Sequence, residues 1–335
     1  MADLKTSAVV VTTHGGTDVL EVQTRSVSAP GPGEVQIRVA ASGINFVDVY
    51  ERQGVYPVPT PFVLGKEGAG EVIAIGTDVA DRFELGDVVA WAEVRGSHSA
   101  IVNADADRLV PVPEGVPVEL AAAAMLQGMT AQYLVTSTYA VQPGDSVLVH
   151  AAAGGIGQLV VQLATARGAT VIGTVSTPAK EAVALAAGAR EVIRYTELNG
   201  PDGPDDLAAE VRRRNGDRGV NVVYDSVGRT TFDASLASLA RRGTLVLCGG
   251  SSGQVPPFDA QRLNHGGSLF LTRPKLADYT ATRDELLWRA AEVLHAVGDG
   301  ALRIDVSERH PLGDVRVAYD ALESRRTTGK LLLVP

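Results

Sequence analysis

The stretch Asp145–Ser176, DSVLVHAAAGGIGQLVVQLATARGATVIGTVS, decides the fold of this chain. An apolar β-branched run, Val147–Val149, leads into a turn of small residues, Ala151–Gly157. An apolar helical pattern follows and stops at Gly168, and a second β-branched run, Val171–Val175, closes the unit. The order strand, glycine turn, helix, strand predicts a βαβ unit of the kind that binds dinucleotides.

The turn has the glycines that a phosphate site requires. Gly154 and Gly155 allow the backbone to approach a pyrophosphate because they carry no Cβ, and Gly157 allows the helix to lie close to the first strand. The helix N-terminus presents N–H groups and the positive end of its dipole to the phosphates. The usual G-x-G-x-x-G pattern is altered only at its first position, where this chain has Ala152. Since strands and a helix flank the turn, we predict a nucleotide site rather than a turn kept for packing.

The end of the second strand favours NADP(H) over NAD(H). An NAD site usually places Asp or Glu about 20 residues past the glycines, where it holds the ribose 2′-hydroxyl. No acidic residue lies between Gly157 and Glu181, whereas Ser176 and Lys180 follow the strand. A small hydroxyl side chain and a cation suit a 2′-phosphate. The alternative is that Lys180 merely begins the next helix on a solvated face.

Length and composition narrow the class of protein. A chain of 335 residues predicts two domains. The formal net charge of −9 argues against a general partner such as nucleic acid or an anionic membrane. The single cysteine, Cys248, permits no internal disulfide and suits a reducing compartment. We recognise no signal peptide and no apolar run near the ~20 residues of a membrane helix, so we expect a cytoplasmic protein.

The chain has two parts with different patterns. Over residues 1–124, short β-branched runs alternate with Pro- and Gly-rich turns, and one helix is predicted over Phe46–Gln53. From residue 125 strands and helices alternate, which predicts a doubly wound parallel α/β sheet. Its six strands are predicted at Val147–Val149, Val171–Val175, Glu191–Tyr195, Val220–Tyr224, Thr244–Cys248 and Ser268–Thr272. Its later helices are predicted at Ala179–Ala187, Asp205–Arg214 and Thr230–Leu239.

The tail begins near Lys275. Thr282 and Glu285 predict a capping box at the start of a helix. Periodicity predicts that this helix buries Leu287, Ala290, Leu294 and Val297. We expect the last strand, Lys330–Val334, to return to the first domain.

Several segments together resemble the zinc-independent medium-chain dehydrogenase/reductases, in particular the quinone oxidoreductase and zeta-crystallin group. They are SGINFVDVYERQGVYP (42–57), LGKEGAGEV (64–72), LQGMTAQYL (126–134), HAAAGGIGQ (150–158), VVYDSVGR (222–229), CGGSSG (248–253), TRP (272–274) and ESRRTTGKLLLVP (323–335). The resemblance runs almost end to end. It implies a Rossmann NADP-binding domain over 125–275 and a GroES-like β-rich catalytic domain over 1–124 and 276–335. It also implies NADPH-dependent reduction of quinones or similar conjugated carbonyls, by a homodimer that pairs through edge strands near Ser268–Thr272.

The residues argue against zinc. Zinc-dependent relatives have a cysteine where this chain has Asn45 and a histidine where it has Lys66, and they carry a lobe of four cysteines. One cysteine in the whole chain leaves no plausible tetrahedral set of nitrogen and sulfur ligands. The six histidines are dispersed, and we interpret each as a surface or capping residue. We therefore expect no bound metal.

The resemblance implies a catalytic set that works without metal. Asn45 has an amide suited to bridge the nicotinamide ribose and the substrate oxygen, and Tyr50 and Tyr56 offer flat faces and phenolic hydroxyls. Arg273 is similar to a pocket residue of the family, and its charge suits a developing oxyanion. The alternative for both tyrosines is ordinary packing against a proline-rich loop. Asp48 and Glu67 are expected to be structural: Asp48 as a carboxylate that holds a helix start or a loop, and Glu67 as a support for an arginine or for backbone groups.

The resemblance also implies the cofactor contacts. The nicotinamide side is assigned to Asn45, Thr130, Cys248, Gly249 and Ser251, and the pyrophosphate to Gly154, Gly155 and Ile156. The 2′-phosphate pocket is assigned to Gly173, Ser176, Lys180, Tyr195 and Arg325, and the adenine side to Ser226 and Val227. Cys248 stands where many relatives have an aromatic residue, and we interpret it as a small buried hydrophobic side chain.

Two other functions remain open. An enoyl or alkenal double-bond reductase would have the same fold and cofactor, with a tyrosine such as Tyr56 donating the proton. A protein that binds NADPH without turnover is the second alternative. A short-chain dehydrogenase is excluded because none of the eight tyrosines has a lysine four positions later.

Overall fold

The computed structural model describes residues 4–198 and 204–335, with the side chains at 204–206 outside the described set. The chain divides into two compact units. The first unit comprises the chain up to Met129 together with Thr280–Pro335, and the second unit is Thr130–Tyr279. The division into units does not show which unit binds the cofactor. The predicted domains, a catalytic one over 1–124 and 276–335 and an NADP-binding one over 125–275, therefore stay a prediction.

The first unit begins with short strands and turns. Its strands before Met129 are β1 (Leu4–Val11), β2 (Leu20–Val27), β3 (Glu34–Gly43), β4 (Phe62–Val63), β5 (Glu67–Ile75), β6 (Val88–Trp91), β7 (Ile101–Asp105) and β8 (Val110–Pro111). Its helices there are α1 (Phe46–Arg52) and the start of α2 (Val118–Tyr133). Most side chains of β2 are exposed, so its sequence contains no apolar run.

The second unit is a single parallel sheet with helices. Its elements are β9 (Ser146–Val149), α3 (Gly155–Ala166), β10 (Thr170–Val175), α4 (Pro178–Ala186), β11 (Glu191–Arg194), α5 (Pro204–Arg214), β12 (Val220–Asp225), α6 (Phe232–Ser238), β13 (Leu239–Leu247), α7 (Gln261–His265) and β14 (Phe270–Thr272). The strand order is β11-β10-β9-β12-β13-β14, and every neighbouring pair is parallel. The doubly wound sheet is thus confirmed, and its order reverses between β9 and β12, where such sheets bind their ligands.

Two strands of this sheet begin more than one residue away from the predicted start. β13 begins at Leu239 rather than Thr244. Because the strand starts earlier, α6 ends at Ser238. β14 begins at Phe270 rather than Ser268, because Ser268 has a φ of 59° and left-handed backbone cannot continue a strand.

The chain then returns to the first unit through α8 (Arg283–Gly298), β15 (Val306–Pro311), α9 (Val315–Glu323) and β16 (Lys330–Val334). β16 lies between β15, which is parallel to it, and β3, which is antiparallel. The predicted return of the last strand is confirmed. These strands join the sheet β15-β16-β3-β5-β6-β8, with β7 also paired to β3, while β2-β1-β4 form a separate sheet.

The start of α8 matches only half of the predicted capping box. The Thr282 hydroxyl accepts from the Glu285 N–H, but the Glu285 carboxylate accepts from Arg289 at 2.6 Å. The predicted buried face was wrong at Leu287. Leu286 is buried instead, together with the whole side chain of Arg289, whose guanidinium lies over the Trp288 ring.

Each unit has its own apolar core. In the first unit one cluster includes Ile37 and Trp91, and a second includes Leu64 and Leu331. The core of the second unit is built from the parallel strands and the helices that cover them. Short 3₁₀ turns lie at Thr17–Val19, Thr77–Val79, Ala106–Arg108, Tyr195–Glu197, Leu276–Asp278 and Leu312–Asp314, and a π-helical turn at Leu134–Thr138. None of the helices in the described ranges has the length and apolar character needed to cross a membrane.

Candidate functional site

The glycine turn after β9 forms a cradle at the start of α3. Gly154 is the N-cap in extended conformation, so this helix end has no side-chain acceptor of its own. A Cβ at Gly157 would lie 2.2 Å from the Ala151 carbonyl oxygen, so a larger residue would push the helix away from the turn. Ala151 itself has a φ of 50°. The unpaired N–H groups of the first turn and the close backbone approach fit a pyrophosphate.

The carboxyl ends of β10 and β11 lie next to each other. The Thr196 hydroxyl donates to the Ser176 carbonyl at 2.8 Å, which joins the two segments after these strands. Lys180 lies in the first turn of α4, and Tyr195 follows β11 with 45% of its surface exposed. A cation in the first turn of a helix is repelled by the positive end of the helix dipole. A bound anion next to Lys180 would offset this repulsion.

Gly173 and Thr130 are buried. Gly173 lies in β10, where an added Cβ would lie 2.8 Å from that of Ala152. This glycine therefore allows β10 to lie close under the glycine turn. Thr130 is in α2 and 6% exposed.

The segments after β12 and β13 are bonded together. The Cys248 N–H donates to the Asp225 carbonyl, and the Ser251 N–H donates to the Ser226 carbonyl. An added Cβ at Gly249 would lie 2.4 Å from the Ser226 oxygen, so the two segments are in close contact. Cys248 is half-buried, and burial raises the pKa of its thiol to about 12, which keeps it protonated.

A buried polar chain supports these segments from below. The Asp225 carboxylate accepts from the backbone N–H groups of Val227 and Gly228 and from the Ser235 hydroxyl at 2.7 Å. Ser235 in turn contacts His150 Nε2 at 3.0 Å, and Thr174 contacts His150 Nδ1 at 2.9 Å. Burial lowers the pKa of His150, so the ring is neutral. The interpretation of this histidine as a surface or capping residue was wrong.

Arg273 follows β14, and its Nη1 donates to the Leu247 carbonyl at 2.9 Å. The guanidinium is thereby held at the carboxyl end of β13. Arg325, by contrast, belongs to the first unit, in an exposed turn after α9 with a φ of 57°.

In the first unit the Asn45 amide is held on both sides. Its Nδ2 donates to Glu67 Oε2 at 2.8 Å and to the Gly43 carbonyl at 3.1 Å. Its Oδ1 accepts from Gln127 Nε2 at 3.1 Å and from Lys330 Nζ at 2.8 Å. Asn45 is 3% exposed and is the N-cap of α1.

The carboxylate of Glu67 is buried against a lysine. Lys330 Nζ lies 2.5 Å from Glu67 Oε2, and the backbone N–H of Leu126 donates to Oε1. Both charged side chains are at most 1% exposed. The expectation that Glu67 supports backbone groups is confirmed at Leu126, but the cation beside it is Lys330 and not an arginine. Sequence reasoning missed Lys330, although a lysine opening the apolar run KLLLV was a signal.

The aromatic pair of the predicted catalytic set lies on and after α1. The Tyr50 and Tyr56 rings meet edge to face with centroids 5.4 Å apart, and the Tyr56 N–H donates to the Tyr50 carbonyl. Tyr56 is 40% exposed. The two ring planes are 70° apart, so the pair forms an aromatic corner and not a flat surface.

Lys66 is held by two carboxylates, Glu51 and Glu93, each 3.1 Å from its Nζ. Burial lowers the pKa of Lys66, but the negative charges of Glu93 and Glu51 outweigh it and raise the pKa overall. The ammonium is therefore neutralised locally.

Asp48 lies in a second buried chain. Its carboxylate accepts from the Asn45 N–H at 2.8 Å, which confirms its expected role at the helix start. Tyr319 also bonds to it, and His98 lies between the Tyr319 hydroxyl and Ser42, at 2.8 Å from each. His98 is fully buried, so its interpretation as a surface or capping residue was also wrong.

Comparison with known proteins places this geometry in a family. The alcohol dehydrogenase GroES-like domain matches residues 31–146, and the zinc-binding dehydrogenase matches residues 155–279. Quinone oxidoreductase 1 of Escherichia coli (strain K12) is 42% identical over 326 residues, which cover 96% of this chain and 97% of that protein. The chain belongs to the quinone oxidoreductase family.

Solved structures agree with this assignment. A mycobacterial protein complexed with NADPH is 46% identical, with a TM-score of 0.94, and the match covers 98% of this chain and 100% of that one. The Escherichia coli quinone oxidoreductase complexed with NADPH is 40% identical, also with a TM-score of 0.94 and the same coverage. The predicted fold class, a doubly wound α/β sheet together with a GroES-like β-rich domain, is confirmed.

The quinone oxidoreductase site residues fall into two groups. The first unit holds Asn45, Tyr50 and Tyr56 close to one another along the chain at α1. The second unit holds Arg273 and the cofactor residues other than Asn45 and Arg325. The individual roles assigned to these residues stay predictions.

The metal question turns on donor chemistry. In the described ranges, no group of three or more His, Cys, Asp and Glu side chains is arranged to hold a metal ion. Asn45 and Lys66, at the positions where zinc-dependent relatives have cysteine and histidine, are bonded to Glu67 and to Glu51 and Glu93. The expectation that this quinone oxidoreductase binds no metal stays a prediction.

Proposed function

We propose that this chain is an NADPH-dependent quinone oxidoreductase that works without a metal. The glycine cradle at the start of α3 carries the proposal, since Gly154 and Gly157 form a backbone site for a pyrophosphate in a family whose relatives bind NADPH. We assign Gly154, Gly155 and Ile156 to that contact.

The preference for NADPH rests on the ends of β10 and β11. Ser176, Lys180 and Tyr195 lie there, and we assign them with Gly173 to the 2′-phosphate end of the cofactor. Arg325 is assigned to the same phosphate because a guanidinium binds phosphate through two parallel hydrogen bonds.

The remaining cofactor contacts follow the carboxyl ends of β12 and β13. We assign the adenine side to Ser226 and Val227. The nicotinamide side is assigned to Asn45, Thr130, Cys248, Gly249 and Ser251. Since the Cys248 thiol is protonated, it acts here as an apolar wall and not as a nucleophile.

When bound, NADPH supplies the hydride. The chain's own residues bind and orient the quinone. Tyr50 and Tyr56 provide aromatic contacts for a planar ring. Tyr56 is 40% exposed, so it is accessible to a substrate that enters from solvent. Arg273 supplies the positive charge that stabilises an oxyanion on the acceptor. The Asn45 amide is buried and already bonded to four protein groups, so Asn45 acts by shaping the nicotinamide side of the site and not through a free hydrogen bond.

We further propose that the protein is a homodimer in the cytoplasm. β14 is the edge strand of the second unit's sheet, and Phe270 on it is 60% exposed. An exposed edge with an apolar side chain is a surface that pairs with another strand. Light scattering tests this, and a monomer mass would contradict it.

The activity is tested by following NADPH absorbance with 1,4-benzoquinone as acceptor, with NADH as the matched cofactor control. We expect quinone-dependent oxidation of NADPH that exceeds that of NADH. An α,β-unsaturated ketone serves as the second acceptor. Turnover of the ketone alone would instead make the protein a double-bond reductase. Tight NADPH binding with no turnover of either acceptor would make it a binding protein.

A further inference from the structure

Lys330, Glu67 and Asn45 form a closed hydrogen-bonded triangle in the first unit. Lys330 Nζ donates to Glu67 Oε2 and to Asn45 Oδ1, and Asn45 Nδ2 donates to the same Glu67 oxygen. All three side chains are at most 3% exposed. The triangle is made by residues from three separate segments, at the end of β3, the start of β5 and the start of β16.

The triangle lies against a position without a side chain. An ideal Cβ at Gly43 would meet Glu67 Oε2 at 2.2 Å and Lys330 Cε at 2.8 Å. The ion pair therefore occupies the volume that any larger residue would take. Since Gly43 also accepts from Asn45 through its carbonyl, its backbone and its missing side chain both serve the same triangle.

The ion pair fixes which way the Asn45 amide points. Its oxygen faces two donors, Lys330 and Gln127, and its nitrogen faces two acceptors, Glu67 and the Gly43 carbonyl. A flipped amide would place its N–H groups against an ammonium and its oxygen against a carboxylate. One orientation is therefore strongly favoured.

Stability alone is a poor reason to keep such a pair. Removing two charges from water costs about as much as their attraction returns, and an apolar replacement is often neutral or stabilising. A buried pair that also sets the orientation of a neighbour is better explained by specificity than by stability. The neighbour here is Asn45, the N-cap of α1, and α1 carries Tyr50.

We propose that Lys330 is a positioning residue for quinone reduction: with Glu67 it locks Asn45, and through Asn45 it sets the start of α1 and the place of the tyrosine pair. This inference rests on the proposed function. Lys330 touches neither substrate nor cofactor in this scheme. It acts by holding the helix start that aims Tyr50 and Tyr56.

The test uses the full chain in five forms: wild type, Lys330→Met, the charge-balanced Lys330→Met/Glu67→Gln, Asn45→Ala, and the triple variant that combines these three substitutions. The matched control is Lys275→Met/Asp278→Asn, which removes an ion pair of 3.3 Å whose side chains are 69% and 67% exposed. Thermal melting reports folding, NADPH titration reports cofactor affinity, and steady-state kinetics with 1,4-benzoquinone report kcat and KM.

We expect the charge-balanced double variant to recover most of the melting temperature that Lys330→Met loses, while its kcat stays at least tenfold below wild type. Its NADPH affinity should change less than threefold, because Gly154, Gly155 and Ile156, the residues assigned to the pyrophosphate, lie in the second unit. Adding Lys330→Met/Glu67→Gln to Asn45→Ala should lower kcat less than threefold further. The surface control should match wild type throughout. A charge-balanced variant with wild-type kcat would overturn the proposal. So would a triple variant whose fold loss of kcat equals the product of the losses caused by Asn45→Ala and by Lys330→Met/Glu67→Gln.

A second measurement does not depend on turnover. Amide hydrogen exchange of residues 45–56 should be at least tenfold faster in the charge-balanced variant than in wild type, with exchange in β9 and β10 unchanged. Wild-type protection of 45–56 in that variant would overturn the positioning role. The two proposals can also fail separately. If wild type and the charge-balanced variant differ in protection but wild type reduces no quinone, the proposed function is refuted and Lys330 remains the residue that holds α1.

Discussion

Asp48 and His98 are buried together, with His98 Nε2 3.9 Å from Asp48 Oδ2, and their proton affinities shift in opposite directions. Burial raises the pKa of Asp48 to about 7, against hydrogen bonds from the Asn45 N–H and from Tyr319 that lower it. Burial also lowers the pKa of His98 to about 3, helped by the charge of Lys330. Near pH 6 both groups are therefore uncharged.

The first prediction is that Asp48→Asn changes how stability depends on pH. The native state keeps the Asp48 proton up to about pH 7, whereas the unfolded chain releases it near its ordinary pKa of 3.8. This contribution to stability is present at low pH and is lost as pH rises to about 7. His98 has the opposite effect. The unfolded chain binds a proton at His98 below its ordinary pKa of 6.5, whereas the native state binds it only below about 3, so this contribution to stability increases as pH rises between those values. The two partly cancel in the wild type.

In Asp48→Asn only the His98 contribution remains of this pair. The free energy of unfolding of the variant should rise relative to wild type by up to about 1.4 kcal/mol per pH unit between about pH 4 and pH 7. Urea titrations at several pH values measure it. Asp81→Asn, at an exposed position, should follow wild type. Parallel curves for wild type and Asp48→Asn would contradict the raised pKa.

The second prediction concerns Ala151, whose φ of 50° lies in the left-handed region. A residue with a Cβ is destabilised by about 1–2 kcal/mol in this region, and glycine is not. Part of this gain is lost because the unfolded chain has more conformational entropy with glycine than with alanine. Ala151→Gly should therefore raise the free energy of unfolding by about 0.5–1 kcal/mol in urea denaturation. Ala152→Gly is the control, because Ala152 is buried and absent from the positive-φ positions, so that it should destabilise. Destabilisation by both would refute strain at Ala151.

The third prediction concerns the coenzyme preference. Lys180→Ala should weaken NADPH by about tenfold or more, in line with about 1.5–3 kcal/mol for a hydrogen bond to a charged group, and leave NADH nearly unchanged. Fluorescence titration of both coenzymes measures this. Lys5→Ala removes an exposed lysine in β1 as the charge-matched control. Equal losses for NADPH and NADH would remove Lys180 from the phosphate pocket.

The fourth prediction compares two buried serines of α6. Ser235 bonds to Asp225 and His150, whereas Ser238 donates to the Ala234 carbonyl within its own helix. Ser235→Ala removes the partner of His150 Nε2 and one of the two hydrogen bonds to Asp225 Oδ2, which keeps its bond from Thr231, and should destabilise by about 2–3 kcal/mol. Ser238→Ala should cost less than about 1 kcal/mol, since the helix carbonyl keeps its backbone partner. Guanidinium denaturation of both variants tests the network, and equal losses would argue against it.

Local sequence accounts for most of the second unit. The alternation of β-branched runs and apolar helices predicted the six parallel strands, because each such element reflects the pattern of its own residues. The predicted start of β14 was wrong because Ser268 adopts a left-handed φ, which the periodicity of the sequence does not indicate.

The candidate site was predictable only in part. Asn45 and Asp48 were found through the helix start and the family resemblance, and the glycine turn through its spacing. Lys330 was not found, since its partner Asn45 lies 285 positions away in the chain and only the pairing of β16 with β3 brings them together. His98 and His150 were misjudged for the same reason, because their burial depends on residues distant in sequence.

The βαβ unit, the glycine turn and the single cysteine can be read without a structure. Periodicity and spacing are properties of residues close together in the chain, and composition needs only a count. The tertiary structure alone decided which charges are buried, that Glu67 is balanced by Lys330, and that Asp48 and His98 titrate far from their usual ranges. The physical reason is that desolvation and ion pairing depend on distance in space, and that distance is set by how β3, β5 and β16 come together in one sheet.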